Sequence, residues 1–373
     1  MAGIYIHIPF CKKKCHYCDF YITTNKNNVG KLIEAIKFEL ILRKNFFNKN
    51  KIETIYFGGG TPSMINPNYI GKVIKQIKNN FSVNSNLEIT IEANPDDINY
   101  NRLAKWKKYG VNRISLGIQT LNDKTLKFIN RNHNKSTAIS SIKKISEYFD
   151  NFSVDLIYGI PGNRNDKLEN DINEIIKFSP PHISAYSLSI EKKTVFYNWL
   201  KNNIIKEEEE EEIIRQFNLL KKILKNEKYI QYETSSFCKK GYESKHNSGY
   251  WKRKKYIGIG PSAHSFDGKF RSWNISNNNK YISALNKNII PNTEEKLSKK
   301  MTINEIIMIG IRTKWGIDNN QLVTQLNYDI LKNQKQTINK LIDEELIYIK
   351  KTKIKATTKG SILLDYITEK LLI

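Results

Sequence analysis

Through its first two-thirds the chain alternates short, β-branched apolar runs with segments of helical periodicity. This alternation restricts the fold more than any other feature. Residues 4–8, 54–57, 87–92, 113–119, 153–157 and 183–190 read as strands, with helix-like segments such as 31–46, 68–79 and 166–178 between them. Strands separated by helices read as a parallel α/β fold. Six units, rather than the eight of a closed barrel, predict an incomplete barrel with an open side. In such barrels the working residues sit at the C-terminal ends of the strands. The unusual residues of this chain fall there. A cysteine-rich loop follows the first strand, Gly58-Gly59-Gly60-Thr61-Pro62 follows the second, Glu92 closes the third and Gln119 closes the fourth.

The cysteine loop reads Cys11-Lys-Lys-Lys-Cys15-His-Tyr-Cys18-Asp19-Phe20, and Cys238 is the one cysteine outside it. So few cysteines in a chain this long argue against a disulfide framework and for a reducing compartment. Packing does not require thiols grouped this closely, which leaves zinc, haem attachment, a redox pair or an iron–sulfur cluster. Covalent haem attachment needs Cys-x-x-Cys-His, and Asp19 stands where that histidine would be. Structural zinc needs four closed ligands, so His7 or His16 would have to complete the set. A dithiol would use Cys15 and Cys18 and leave Cys11 without a role. Iron–sulfur clusters are held by grouped thiolates, usually four. Three at this spacing would leave one iron of a [4Fe–4S] cube open to another ligand, and that is the reading the spacing favours.

Cys11-x3-Cys15-x2-Cys18, with an aromatic before the last cysteine, resembles the radical S-adenosylmethionine (SAM) superfamily. The flanking Tyr5-Ile-His-Ile-Pro-Phe-Cys11 and Cys18-Asp-Phe narrow the likeness to the group that holds oxygen-independent coproporphyrinogen III oxidases and HemW-type haem chaperones. The resemblance implies a partial (β/α)6 barrel and a [4Fe–4S] cluster on Cys11, Cys15 and Cys18. It also implies SAM on the open iron, contacted by Tyr5, Tyr17, Gly59, Gly60, Thr61, Glu92, Gln119, Arg131, Asp155 and, more loosely, Ser189. Elementary chemistry agrees at several of these positions. Glycines let backbone approach a ligand, the planar fork of Arg131 suits a carboxylate, and Asp155 puts into an apolar strand a charge that needs a partner.

A second stretch, His246-Asn247-Ser-Gly-Tyr250-Trp251, offers an imidazole and two large flat aromatics in what reads as a glycine-containing loop. It resembles the His-Asn-x-x-Tyr-Trp signature of the haem chaperones and implies haem binding by His246, Asn247, Tyr250 and Trp251, with His264 a second iron-ligand candidate. The six glutamates from 207 to 212 read as a solvated helix start. Cys238 reads as a buried thiol. The division expected is a barrel over residues 1–237 and a C-terminal domain over 238–373, mainly helical and ending in a winged-helix-like hairpin. That end is expected to cover the open barrel, with docking or peripheral membrane contact as its further use.

The net charge of +24, from 61 basic and 37 acidic residues, is spread over helix surfaces and loops. It therefore reads as compositional bias, and no nucleic-acid partner is expected. The N-terminus lacks a basic leader, and no apolar run approaches the roughly 18 residues of a membrane span. A cytoplasmic protein is expected, as a monomer or a cluster-dependent dimer. Two functions compete. One is a haem chaperone that carries haem to acceptor proteins, such as those of the respiratory chain. The other is a coproporphyrinogen oxidase that cleaves SAM and decarboxylates propionates, with a DNA-binding wing a distant third. The oxidases carry a further cysteine where this chain has Phe20, and a longer N-terminal extension. Both departures favour the chaperone.

Overall fold

The computed structural model describes residues 2–48, 50–162 and 165–373. Its main sheet contains β1 (Ala2–Ile8), β2 (Ile52–Gly59), β3 (Val83–Ala93), β4 (Arg113–Gln119), β5 (Phe152–Tyr158) and β6 (His182–Ser187). It continues with β7 (Ile230–Glu233), β8 (Ser236–Cys238), β9 (Lys255–Ile259), β10 (His264–Phe266), β11 (Phe270–Asn274) and β12 (Asn292–Lys296). Their spatial order is β12-β11-β10-β9-β1-β2-β3-β4-β5-β6-β8-β7. From β9 to β6 every pairing is parallel. Both flanks are antiparallel. The six expected strands are present in the expected order, and the sheet is an open α/β sheet rather than a closed barrel.

Two expectations need correction. A seventh parallel strand, β9, lies against the outer side of β1. Its glycines weaken the strand signal in sequence. Gly258 is there because an added Cβ would stand 2.1 Å from the His264 carbonyl oxygen. Residues 229–237, which read as one strand, form the β7–β8 hairpin instead. Its two-residue turn is supported by the Ser235 amide, which donates to the Glu233 carboxylate at 3.0 Å, a local side-chain bond that competes with the ladder.

Strand β1 sets the depth of everything that follows. Ile4, Ile6 and Ile8 have no exposure and pack in the main core, so the period of two turns Tyr5 and His7 to the other face. The helices that cover the core carry matching stripes. In Pro67–Asn80 the buried residues Ile70, Val73, Ile74 and Ile77 recur at helical spacing, and Asn66 caps the start by accepting from the Asn68 amide. Truncating Ile74 to alanine would cost about 2–5 kcal/mol through lost burial and the cavity left behind. The helix Glu210–Asn226 opens with Glu210, Glu211 and Glu212 in its first turn, where carboxylates suit the positive end of the helix dipole.

A second core runs from Ile303 to Leu371. It is built on the helix Lys299–Ile311, shorter helices, and a small sheet of β13 (Ile317–Asp318), β14 (Ile347–Lys350) and β15 (Lys353–Ala356) in the order β13-β15-β14. The helix expected over 331–344 is broken at Gln334 into Ile330–Asn333 and Lys335–Asp343. Among the described residues no helix is long and apolar enough to cross a membrane.

Candidate functional site

The loop after β1 is tied down at several points before any side chain acts. The Cys11 amide donates to the Thr23 carbonyl at 3.0 Å, the Cys18 amide to the Cys15 carbonyl at 3.2 Å, and the His16 amide to the Ile129 carbonyl at 3.2 Å. The Asn130 side chain donates to the Lys14 carbonyl at 2.7 Å. Cys11, Cys15 and Cys18 all line one cavity of about 470 Å³. Burial pushes the Cys11 thiol up and the Cys18 thiol up to about 11. Binding iron requires these sulfurs to give up their protons, so cluster assembly must offset that deprotonation cost.

The histidines that a zinc reading requires are committed elsewhere. His16 donates through Nδ1 to the Phe128 carbonyl at 2.8 Å and meets the Trp199 ring edge-on at 4.7 Å. His7 donates through Nε2 to the Tyr21 carbonyl at 3.0 Å, while its Nδ1 lies 3.2 Å from the Tyr5 hydroxyl. No three His, Cys, Asp or Glu side chains among the described residues converge as the ligands of one metal ion would. The donor set is three thiols with a cation beside them, since the Arg131 guanidinium donates to Cys15 Sγ at 3.6 Å and Thr61 donates to Cys11 Sγ at 3.3 Å. An anionic thiolate cluster fits these donors.

The same cavity is lined by Tyr17, Gly59, Gly60, Thr61, Glu92, Gln119, Arg131, Asp155 and Ser189. Gly59 has φ +105°, and a side chain on Gly60 would stand 2.7 Å from the Phe10 carbonyl oxygen. The glycines thus let the β2 end lie flat against the cysteine loop, in addition to lining the cavity. Glu92 is held at both oxygens, by the Tyr56 hydroxyl at 2.9 Å and the Gly59 amide at 3.1 Å. Burial, with the charge of Asp155, raises it to about 7. Asp155 accepts from Ser115 at 2.8 Å and Ser153 at 3.2 Å, which answers its need for partners. Arg131 donates to Asn94 at 2.8 Å and to the Gly117 carbonyl at 2.5 Å, while its buried Nε has no partner among the described residues. Gln119 sits at φ +71°, a conformation that costs a non-glycine residue energy, where β4 slips register against β5.

Tyr5, expected to contact SAM, is on the inward face of β1. It lies two residues below the end of that face, stacked on Tyr56 at 6.1 Å. It lines a second cavity of about 660 Å³. That cavity also takes in His246, Asn247, Tyr250, Trp251 and His264, all the residues expected to hold haem. Its other walls come from Tyr256 and Phe266 of β9 and β10, and from Glu305, Met308 and Ile309 of the helix Lys299–Ile311. Phe20, Tyr56, Glu92 and Tyr186 line both cavities. Tyr56 and Tyr186 were not singled out in the sequence. The register signal for Tyr56 was its place opposite Tyr5 on neighbouring strands.

The His246–Trp251 segment is a helix, Lys245–Trp251, and not a loop. Ser244 caps it by accepting from the Asn247 amide, and the helical repeat then sets His246 and Tyr250 on one face. His246 Nε2 lies 2.8 Å from the Tyr250 hydroxyl and Nδ1 lies 2.8 Å from Thr54 Oγ1. Its ring stacks on Tyr56 at 4.9 Å, and burial, followed by the nearby Arg113, lowers its pKa to about 3. Both nitrogens of this neutral imidazole are engaged. His264 is the exposed imidazole of the cavity, stacked on Trp273 at 6.1 Å.

Comparison with known proteins fits this arrangement. Residues 5–175 match the radical SAM superfamily model. The proteins named "Heme chaperone HemW" in Lactococcus lactis and Bacillus subtilis are 33% and 31% identical to this chain, covering 99% and 97% of it and 97% of their own lengths. That of Buchnera aphidicola from Schizaphis graminum is 39% identical over 70% of this chain and 69% of its own. In fold, the chain is similar to the coproporphyrinogen III oxidase HemN of Escherichia coli, with a TM-score of 0.85 and 19% identity, over 100% of this chain and 90% of that one. With sequence kinship along almost its whole length and a cysteine loop built as that kinship requires, the chain belongs to the HemW family of haem chaperones within the radical SAM superfamily.

Proposed function

We propose that this protein is a haem carrier that takes haem into the aromatic cavity and passes it to acceptor haem proteins, including those of the respiratory chain. One observation carries this reading. The expected haem residues, scattered between positions 246 and 264, close a single large cavity with aromatic walls directly beside the cysteine-lined one. A flat macrocycle needs such walls, and an imidazole suits its iron. Cys11, Cys15 and Cys18 would hold a [4Fe–4S] cluster, with SAM on its open iron among Glu92, Gln119, Arg131 and Asp155. When bound, this pair supplies reductive SAM chemistry. The chain's own part is to hold SAM, with Arg131 facing carboxylate charge and Gln119 fixed by its backbone.

The geometry divides the two histidines. His264 is free to meet iron, whereas His246 orients Tyr250 from beneath. His264→Ala should abolish the absorbance of a histidine-ligated haem, and His246→Ala should weaken binding while leaving that signature in place. Phe20 stands at the boundary of the two cavities, where the oxidases carry a cysteine, and this favours carriage over oxidase turnover. The deciding experiment is anaerobic reconstitution, followed by haem titration, transfer to an apo-haem protein and assay with coproporphyrinogen III. Transfer without turnover supports the carrier. Turnover without stable haem binding overturns it. A cytoplasmic setting suits three half-buried free thiols and a cluster.

A further inference from the structure

The haem cavity contains a charge imbalance that its aromatic walls do not explain. Arg253 and Arg271 both pair with one carboxylate, Glu305: Arg253 Nε at 2.9 Å to one oxygen, and Arg271 Nη2 to the other. Two guanidiniums face one carboxylate, so one positive charge remains. The Arg253 side chain is 9% exposed, and its Nη2 is buried without a hydrogen-bond partner among the described residues. Both guanidiniums lie against the Phe266 ring, at 5.0 and 5.7 Å. Arg253 and Arg271 line the cavity together with Trp251, Tyr256 and His264.

A buried donor left empty beside a like charge is costly. A second carboxylate would satisfy both, because a guanidinium offers a fork that matches a carboxylate in two parallel hydrogen bonds. Arg253 also sits at φ +49°, just past the helix Lys245–Trp251. A backbone held there against its preference fixes where the guanidinium emerges. The feature is a cationic edge on a cavity walled largely by aromatics, the complement of a planar ligand that carries acidic side arms.

We propose that Arg253 and Arg271, bridged by Glu305, form a carboxylate clamp that seats a propionate of the tetrapyrrole. The clamp rests on the haem-carrier reading and adds to it how the macrocycle is oriented. Its test compares haem and metal-free protoporphyrin IX with their dimethyl esters, titrated into the reconstituted full-length protein and into Arg271→Gln. Arg271 is partly exposed, so its loss leaves the Arg253–Glu305 pair in place. Esterification should weaken binding to the wild type by roughly tenfold or more, the scale of one charge-assisted hydrogen bond. Arg271→Gln should weaken the free acids by a similar factor and leave the esters unchanged. Arg253→Lys, which keeps the charge and loses the fork, should reproduce the pattern, with melting curves showing that it folds. Equal binding of acids and esters to the wild type overturns the clamp and leaves the carrier standing. So does a variant that weakens both forms alike. A wild type that binds neither porphyrin removes the carrier reading and the clamp with it.

Discussion

The two cavities are built by different means. The cysteine-lined one is made from residues that follow strand ends in chain order, from Cys11 to Ser189, so each βα unit contributes locally. The aromatic one draws on β1, the helix Lys245–Trp251, the β9–β11 edge and the helix Lys299–Ile311. The first gathers thiols, carboxylates and a guanidinium, and Glu92, Asp155 and Arg131 are each hydrogen-bonded to named neighbours. The second is broad and ringed by aromatics, with two guanidiniums sharing one carboxylate on one wall. Polar sites gain specificity from fixed partners, whereas large aromatic ones gain affinity from area. The contrast teaches that this scaffold keeps a chemically exacting pocket and a capacious one side by side.

Replacing one thiol, as in Cys15→Ser, tests the contrast most severely. Iron and acid-labile sulfide should be lost entirely, while titrated haem still binds in the second cavity. Loss of both would mean that the cavities are a single site. Arg131→Ala comes next. It removes the cation beside Cys15 and the bonds to Asn94 and Gly117, and calorimetry on the reconstituted protein should find SAM bound about 10–100-fold more weakly. Trp251→Ala should lower haem affinity by roughly tenfold by spectroscopic titration and leave SAM affinity as it was, because only an aromatic wall is lost.

The smallest effect concerns pH. His246 is lowered to about 3 and His7 to about 4, chiefly by burial. Both are neutral in the folded chain, and the unfolded chain takes up protons below about 6.5. Stability is therefore intact above that pH and falls as the pH drops towards 4. His246→Gln should flatten the fall by up to about 1.4 kcal/mol per pH unit, read from denaturant midpoints along a pH series. An unchanged slope would mean that His246 is not the buried neutral group described.

Much of the first cavity was legible in sequence because its logic is local. Cys11, Cys15 and Cys18 lie in one loop, and Glu92 and Gln119 announce themselves as polar ends of apolar strands. Tyr5, expected at the SAM site, lines the second cavity, because nearness in sequence to Cys11 says nothing of depth along a strand. The helix around His246 was missed because Asn247, Ser248 and Gly249 have weak helix propensity, and its cap and the packing of its buried face outweigh that. Arg253, Arg271 and Glu305 carried no usable signal. Their meeting depends on a partner 34 positions away in one case and 52 in the other. The strand β9 was hidden by Gly258, whose purpose appears only where β10 packs against it.

Phe20, Tyr56, Glu92 and Tyr186 belong to both cavities at once. Side chains shared in this way give the two cavities a common surface. A guest on one side that turned Tyr56 or changed the protonation of Glu92 would alter the surface offered on the other. By reciprocity, the second guest would then exert the same influence on the first. Loading and release of a cargo would then respond to the state of its neighbour.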